Sequence, residues 1–277
     1  MNLPTIPPPS ATLPWERQLT EADFLDPQLG DQFMQGYQHA NDVEKAVDIL
    51  RYVHQSNSHT LITTDVKIIW GRRGLLNPAP DIAVIPNVIE PQRPWTSFHV
   101  MEEETRPIFI LEVVSPDYRR PDLVDKVFIY AQAGVAEYFI IDSHLQPDGT
   151  MNYEIVAYRL IRGEYRQVEP DEQSRYYSHT NNVWFAVTPD RQGFLVIDGD
   201  TDQVILPDRD RVRVAEEQAL YARRETKIAR QEADVARQEV EKAIKLAETE
   251  AAARLQAEQK LAEALAELAR LRGETEA

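Results

Sequence analysis

The chain has 277 residues, a formal net charge of -16 and no cysteine. The lack of cysteine excludes disulfide bonds, thiol catalysis and cysteine-ligated zinc sites. The six histidines do not show the H-E-x-x-H spacing of zinc hydrolases, and no apolar run approaches the ~20 residues that span a bilayer. The N-terminal residues also lack the basic start and apolar centre of a signal peptide. We therefore expect a cytoplasmic protein that is not inserted in a membrane.

The charge balance bears on the partners that the protein can bind. Binding to nucleic acid is normally driven by lysine and arginine side chains that neutralise phosphates, so a net charge of -16 argues against passive electrostatic attraction. Residues 214–277 hold 11 of the 30 basic and 14 of the 46 acidic residues, which leaves 19 basic and 32 acidic residues in the rest of the chain. The acidity therefore lies mainly outside the C-terminal segment.

The N-terminal third of the chain predicts an arm, a helix and two strands. Residues 1–34 are expected to form an arm that begins with an irregular, proline-rich stretch. Apolar residues at helical spacing predict a helix from about 42 to 55. The apolar period then changes to two, which predicts a strand through Trp70, a turn at Gly71 to Gly74 and a second strand at about 81–85.

The middle of the chain predicts a strand, helix, strand unit. The segment PIFILEVV is a continuous apolar run broken only by Glu112, as in a central strand covered on both faces. The next segment, RPDLVDKVFIYAQAG, predicts a helix that Asp122 would cap and that Gly134 would end. The strand AEYFIID follows, and such a unit makes the two strands parallel. Two hairpins follow, the first turning at Gly163, so residues 35–207 are predicted to form an α/β domain whose mixed sheet is accompanied by few helices.

The C-terminal segment, residues 214–272, predicts one long helix. It is rich in alanine and charged residues and contains neither proline nor glycine. At 1.5 Å per residue it would extend roughly 90 Å, too far to fold back onto a domain of this size. Its apolar stripe keeps heptad spacing best near the end and includes Ile228, Val235, Val240, Ile244, Leu261, Leu265, Leu268 and Leu271. An intermolecular coiled coil, forming a homodimer, and a solvated charged helix are the two interpretations.

Two carboxylates stand in or beside predicted strands, Asp81 in PAPDIAV and Glu112 in ILEVV. Burying an ionised carboxylate costs several kcal/mol unless a cation or hydrogen bonds compensate it. A structural explanation exists for each, because Asp81 could cap a strand and Glu112 could pair with a buried arginine. Together with Lys126, the two acids instead suggest a Mg²⁺ or Mn²⁺ site, since hard cations prefer carboxylate oxygens and a nearby ammonium can orient a nucleophilic water.

The ordered segments PDIAV, ILEVVSP, DLVDK with the following Tyr130, and AGVAEYFIID resemble the Uma-type family of restriction endonucleases. That family is abundant in cyanobacteria and belongs to the PD-(D/E)XK nuclease superfamily, and the resemblance covers about residues 35–200. It implies a restriction-endonuclease-like α/β core. It also implies hydrolysis of phosphodiester bonds in nucleic acid, with DNA as the expected substrate and Mg²⁺, or alternatively Mn²⁺, as the cofactor.

The resemblance also implies residue roles. Asp81 matches the superfamily's aspartate and Glu112 its second acid, with the carbonyl of Val113 as a further metal ligand. Val114 stands where the superfamily has a lysine on the strand, and Lys126 on the next helix resembles the relocated lysine of this family. Glu44 is the only match for an additional acid on the first helix.

Two functions remain open at this point. The first is a metal-dependent endonuclease in which Asp81, Glu112 and Lys126 form the catalytic site. The second is a nuclease-like module without catalysis that acts as an assembly element through its C-terminal helix. The retained acids and lysine favour the enzyme, whereas the acidic body and the long helix favour the assembly element.

Overall fold

The computed structural model describes residues 19–28, 36–114 and 119–273. The predicted irregular stretch at the start of the chain lies outside these residues. The chain divides into two compact units, residues 1–210 and residues 211–277.

The helices of the first unit are α1 (Glu21–Leu25), α2 (Tyr37–Val53) and α3 (Lys126–Ala133), the last preceded by a π-helical turn at Pro121–Asp125. Its strands are β1 (Leu61–Thr63), β2 (Lys67–Ile69), β3 (Ile82–Ile85), β4 (Ser97–His99), β5 (Phe109–Val114), β6 (Glu137–Leu145), β7 (Met151–Ile161), β8 (Glu164–Gln167), β9 (Arg175–Ser178), β10 (Val183–Val187) and β11 (Phe194–Asp198).

A six-stranded mixed sheet with the order β1-β3-β5-β6-β7-β8 forms the centre of this unit. Strands β5 and β6 are parallel, with Phe109 opposite Glu137 and Val114 opposite Asp142. The other neighbours in this sheet are antiparallel. The parallel pair joined through the π-helical turn and α3 confirms the strand, helix, strand unit, and the hairpin between β7 and β8 turns at Gly163 as predicted.

The pleat of β5 separates two hydrophobic cores. Every residue of β5 is buried, and Leu111 and Val113 face a core shared with α2 and with the antiparallel sheet β11-β10-β9. Ile110 and Val114 face a second core shared with α3. Since side chains alternate along a strand, Glu112 points toward the α3 side, between Ile110 and Val114. The sheet thus presents the buried carboxylate to the helix that carries Lys126.

Several boundaries differ from the predictions. Helix α2 begins at Tyr37, directly after Gly36, about one turn earlier than its apolar spacing indicates. The strand predicted through Trp70 is divided into β1 and β2 by a bend at Asp65, whose φ is 54°. The second hairpin consists of β11 and a single bridge from Ile197 to Val204.

The predicted cap role of Asp122 is wrong. The N-terminal boundary of the π-helical turn is Arg120, which makes no capping hydrogen bond through its side chain. Asp122 is instead a buried residue inside the turn. The left-handed Gly134 does end α3, with φ 81°, as predicted.

The long helix α4 (Asp208–Gly273) begins six residues before the predicted start at 214, with Asp208 and Asp210 in its first turn. Acidic side chains there complement the positive end of the helix dipole. Side chains 215–270 are exposed, including those of the apolar stripe from Ile228 to Leu268. Within the described ranges, no helix is both long enough and apolar enough to cross a membrane. The mixed sheet, the few helices and this long helix confirm the predicted α/β fold class.

Candidate active site

A cluster of ionisable side chains lies buried between the central sheet and the start of α3. It consists of Asp81, Glu112, Asp122 and Lys126 and is called the carboxylate–lysine cluster below. Asp81 directly precedes β3, Glu112 lies in the middle of β5, and the other two residues lie in the π-helical turn and at the start of α3. Their side chains are at most 6% exposed to solvent.

Glu112 is compensated by groups of the protein itself. Its Oε1 lies 2.8 Å from the Lys126 ammonium and accepts a 2.7 Å hydrogen bond from the hydroxyl of Tyr130. Its Oε2 accepts a 3.1 Å hydrogen bond from the amide of Asp81. The charge within this apolar strand is therefore paired with a lysine, rather than with the arginine that a structural explanation had suggested.

Asp81 and Glu112 are linked by two hydrogen bonds, each between a carboxylate on one segment and a backbone amide on the other. The Oδ2 of Asp81 accepts a 2.8 Å hydrogen bond from the amide of Val113, while the amide of Asp81 donates to Glu112. Strands β3 and β5 pair from Val84–Phe109 to Ile82–Leu111, so these two bonds continue the ladder where regular pairing ends. Antiparallel pairing therefore holds the two carboxylates side by side.

Lys126 is the only lysine in the cluster and contacts two of its three carboxylates. Its ammonium lies 2.7 Å from Oδ1 of Asp122, one helical turn earlier, as well as 2.8 Å from Glu112. The carbonyl of Asp122 accepts a 2.8 Å hydrogen bond from the hydroxyl of Tyr138 on β6. The π-helical turn is thus tied to the sheet, which fixes where Asp122 meets the lysine.

The four groups of the cluster have different proton affinities. Burial raises the pKa of Glu112 well above its ordinary range, although Lys126 opposes this effect. Burial likewise raises the pKa of Asp122 to about 6. Burial would also raise the pKa of Asp81, but the hydrogen bond and charge of His39 outweigh burial and lower it. For Lys126, burial is outweighed by Asp122 and Glu112, which raise its pKa above the ordinary value.

Glu137 shows what a purely structural buried glutamate looks like in the same sheet. Its carboxylate accepts hydrogen bonds from Ser178, from the amide of His179, and from the amide and hydroxyl of Thr180, and it pairs with Arg159 at 3.1 Å. Burial would raise the pKa of Glu137, but the hydrogen bonds of Ser178 and Thr180 outweigh it and lower the pKa. Glu112 has fewer hydrogen-bond donors and a raised pKa, so the two buried glutamates of this sheet differ in their surroundings.

A family model described as "Uma2: Putative restriction endonuclease" matches residues 13–188. The chain belongs to the Uma2 family. The match spans the central sheet and every residue of the carboxylate–lysine cluster, and it confirms the resemblance stated from the sequence.

Among solved structures, the chain is similar to one described as a putative nuclease belonging to DUF820 from Anabaena variabilis ATCC 29413. The two chains are 16% identical, the likeness covers 55% of this chain and 77% of the other, and the TM-score is 0.40. No curated protein matches the chain.

The carboxylate oxygens of the carboxylate–lysine cluster are the type of ligand that divalent cations such as Mg²⁺ prefer. Mg²⁺ is usually held by one or two carboxylates together with waters and substrate phosphates, rather than by a cage made only of protein groups. Asp81 and Glu112 supply two adjacent carboxylates, and the carboxylates of the cluster outnumber its lysine. No group of three or more histidine, aspartate and glutamate side chains suited to a metal ion occurs in the parts of the chain that the structure describes.

The structure brings together Asp81, Glu112, Val113 and Lys126, the residues singled out from the sequence. The contact of Val113 with the cluster is made by its amide, which donates to Asp81. Glu44, the match for an additional acid, is exposed on α2 and takes no part in the contacts of the cluster.

Three residues around the site were not assigned to it from the sequence: His39, Asp122, which was predicted as a helix cap, and Tyr130, which was noted only as part of the family motif. His39 lies at the start of α2, with its Nε2 3.4 Å from Oδ1 of Asp81. Asp122 and Tyr130 stand four residues before and after Lys126, a spacing that places all three on one side of a helix and could have been noticed. His39 had no comparable signal, because its contact depends on how α2 packs.

Proposed function

We propose that this Uma2 chain is a Mg²⁺-dependent endonuclease that hydrolyses phosphodiester bonds in nucleic acid, with DNA as the most suitable substrate. The observation that carries the proposal is the convergence of Asp81, Glu112 and Lys126 in one buried cluster. Placing these charges in an apolar interior is costly, and strongly shifted pKa values of this kind concentrate at functional sites. Membership in a family described as restriction endonucleases supports the same assignment.

Asp81 and Glu112 would hold Mg²⁺ or Mn²⁺, with the carbonyl of Val113 as a further ligand. The bound ion would supply Lewis-acid activation of the phosphate and of the attacking water. The reciprocal bonds between β3 and β5 keep the two carboxylates in place before any ligand binds. This preorganisation lowers the cost of assembling the site during the reaction.

Lys126 would orient the attacking water and offset the negative charge that develops on the phosphorane. Because its pKa is raised by the neighbouring carboxylates, it keeps its proton at neutral pH and is poorly suited to accept one. Asp122 would hold the ammonium in position through its 2.7 Å contact. His39 would position Asp81 in the same way.

The proposal is tested by nicking of a supercoiled plasmid in Mg²⁺, in Mn²⁺ and in EDTA, with single-stranded DNA and RNA as parallel substrates. We expect cleavage of the plasmid only with metal, and its loss in Glu112→Gln. Glu102→Gln is the matched control, since this glutamate is 74% exposed and lies outside the cluster. Equal cleavage by both variants would contradict the assignment of the site.

The second candidate function is a nuclease-like module without catalysis that acts through α4. The observation that favours it is the exposed apolar stripe on a 66-residue helix. We propose that residues 214–272 form a coiled coil that joins two copies of the nuclease domain, residues 35–207, and this holds for either function. Absence of cleavage on all three substrates, combined with self-association through α4, would favour the second function.

A further inference from the structure

The short helix α1 covers the carboxylate–lysine cluster. The ring of Phe24 lies over the Lys126 ammonium, with 4.3 Å from Nζ to the ring centroid, which is a cation–π contact. Glu112 and Lys126 are both fully buried. A phosphate of a nucleic acid cannot reach either side chain in this conformation, in which Phe24 is one of the groups that cover Lys126.

Two basic residues beside the cluster hold α1 through ion pairs. Lys67 on β2 lies 2.7 Å from Oδ1 of Asp26 and donates a 2.7 Å hydrogen bond to the carbonyl of Pro27. Arg120, directly before the π-helical turn, lies 3.5 Å from Oε2 of Glu21 and 3.2 Å from Oδ2 of Asp125 within that turn. Acidic side chains on and just after α1 therefore pair with two cations, one on β2 and one directly before the π-helical turn that carries Asp122.

These contacts are of the kind that a nucleic acid would make. Lysine and arginine side chains bind phosphates through the same charge-assisted contacts as they bind carboxylates. The body of the chain is acidic, so each cation beside the site matters for binding a polyanion. Carboxylates that neutralise Lys67 and Arg120 compete directly with phosphates for them.

We propose that residues 20–27, which include α1, compete with the polyanionic substrate for the same binding face. Glu21 and Asp26 would occupy the positions that substrate phosphates take in the complex, and Phe24 would cover Lys126. The proposal rests on the proposed nuclease function, because it assumes that a nucleic acid approaches this face. The segment would leave when a nucleic acid takes over Lys67 and Arg120.

The contacts of the segment lie close to solvent. Helix α1 has five residues, none of them buried, although Leu25 packs against the second hydrophobic core. A helix this short is not stable alone in water. The pair between Arg120 and Glu21 is more than half exposed on both sides, and such pairs contribute little to stability. A nucleic acid with several phosphates in reach would outcompete these contacts.

The first test is binding of a fluorescein-labelled 20-nucleotide DNA in EDTA, followed by fluorescence anisotropy at several salt concentrations. EDTA prevents metal-dependent cleavage, so binding is measured by itself. We expect Glu21→Gln/Asp26→Asn to bind about tenfold more tightly at 0.1 M salt, with a steeper salt dependence because Lys67 and Arg120 each lose a competing carboxylate. The control Glu164→Gln/Glu172→Gln makes the same change in net charge at exposed positions and should bind as the wild type does.

The second test fixes α1 in its observed position by a covalent cross-link in the full-length chain. Because the chain has no cysteine, Asp26→Cys/Lys67→Cys introduces the only two thiols, which a short bis-maleimide can bridge. Within this variant, cross-linking should weaken DNA binding at least tenfold relative to the same protein capped with a mono-maleimide. Arg175→Cys/Asp202→Cys replaces an ion pair outside the cluster, and its cross-linking should leave binding unchanged.

The outcomes separate this proposal from the proposed function. Tighter DNA binding by Glu21→Gln/Asp26→Asn without cleavage in Mg²⁺ would support the competitor and contradict the nuclease. Wild-type cleavage together with equal binding by Glu21→Gln/Asp26→Asn and its control would support the nuclease and overturn the competitor. Equal binding before and after the cross-link between positions 26 and 67 would also overturn it.

Discussion

Lys126 is the lysine that compensates the buried carboxylates of the site, because its ammonium lies against both Glu112 and Asp122. Replacing one partner of a buried ion pair usually destabilises a protein by about 3–5 kcal/mol, since the other charge is left uncompensated. Glu112 already has a raised pKa, so uptake of a proton there would reduce this cost. Substitutions in the cluster must therefore be judged by folding as well as by activity.

We expect Lys126→Met to lose cleavage by about 10²-fold or more, the scale of a single preorganised electrostatic contact in an active site. Methionine keeps much of the buried stem, so the fold should persist. Plasmid nicking measures the activity, and circular dichroism at the assay temperature checks the fold. Undiminished cleavage by a folded Lys126→Met protein would remove this lysine from the site.

A second substitution tests whether cleavage depends on the positive charge of Lys126 rather than on the bulk of its side chain. Val114 is buried on the same face of β5 as Glu112, two residues further along. In the Lys126→Met background, Val114→Lys would return an ammonium to that face, and we expect it to recover part of the lost cleavage. Val114→Met in the same background is the control, since it adds a side chain of similar length without charge.

For Asp81, we expect Asp81→Asn to weaken Mn²⁺ binding strongly while keeping the hydrogen bond from the amide of Val113. Mn²⁺ should raise the melting temperature of the wild type, because a ligand that binds the folded state stabilises it by mass action. Titration calorimetry and thermal melts measure the two effects. Asp200→Asn is the exposed control, and equal Mn²⁺ affinity of Asp81→Asn and wild type would refute the metal assignment.

At the scale of elements, the sheets are joined by polar groups as well as by their cores. Glu137 at the start of β6 accepts hydrogen bonds from Ser178 and Thr180, at the end of β9 and just beyond it. One buried carboxylate thus connects the six-stranded sheet to the three-stranded sheet. In the parallel pair, Glu137 lies opposite Phe109 at the start of β5, whereas Glu112 lies opposite Ile140, three residues further along.

We expect Glu137→Gln to lower the free energy of unfolding at pH 7 by about 2 kcal/mol or more, because hydrogen bonds to a buried charge are lost. The folded-state pKa of Glu137 is lowered, so the carboxylate stabilises the protein above its unfolded pKa of about 4.3. That stabilisation is lost as the pH falls through the lowered pKa. Urea unfolding at pH 7, 5 and 3 should show the difference from wild type shrinking toward pH 3.

Glu164→Gln on β8 serves as the control for this experiment, because Glu164 is exposed. Its effect on the free energy of unfolding should stay within about 0.5 kcal/mol. A Glu137→Gln effect that does not change between pH 7 and pH 3 would mean that packing, rather than the charge, supplies the stabilisation.

At the scale of the whole molecule, α4 determines the expected state of assembly. Leu261 and Leu268 are seven residues apart, and both are more than half exposed. Burying such a stripe against a second copy is the usual way in which a long helix with heptad spacing is stabilised. A dimer could also bring two nuclease sites to one duplex.

We expect the full-length chain to be a dimer at micromolar concentration and Leu261→Glu/Leu268→Glu to shift it toward the monomer, because charges replace apolar side chains in the stripe. Light scattering measures the mass. Gln259→Glu/Ala266→Glu adds the same charges on another side of the helix and should remain dimeric. A monomeric wild type would contradict the coiled coil and favour a solvated helix.

Several features of the fold could be predicted from local patterns of residues along the chain. The continuous apolar run of β5 and the following helix and strand predicted a parallel pair, since burial and connection length decide that arrangement. The order of the motifs around Asp81, Glu112 and Lys126 pointed to the family. The long, alanine-rich C-terminal segment predicted a helix from composition alone, although α4 begins earlier than its apolar stripe indicates.

Which side chains meet at the site depends instead on how distant segments pack against each other. His39 and Glu44 lie on the same helix, yet one contacts Asp81 and the other is exposed, because the packing of α2 determines which side faces the sheet. Asp122 has the sequence context of a helix cap but is a buried partner of Lys126. The position of Phe24 over that lysine depends on contacts between segments about 100 residues apart. Periodicity records which face of one element is apolar, whereas such contacts arise from the packing of several elements together.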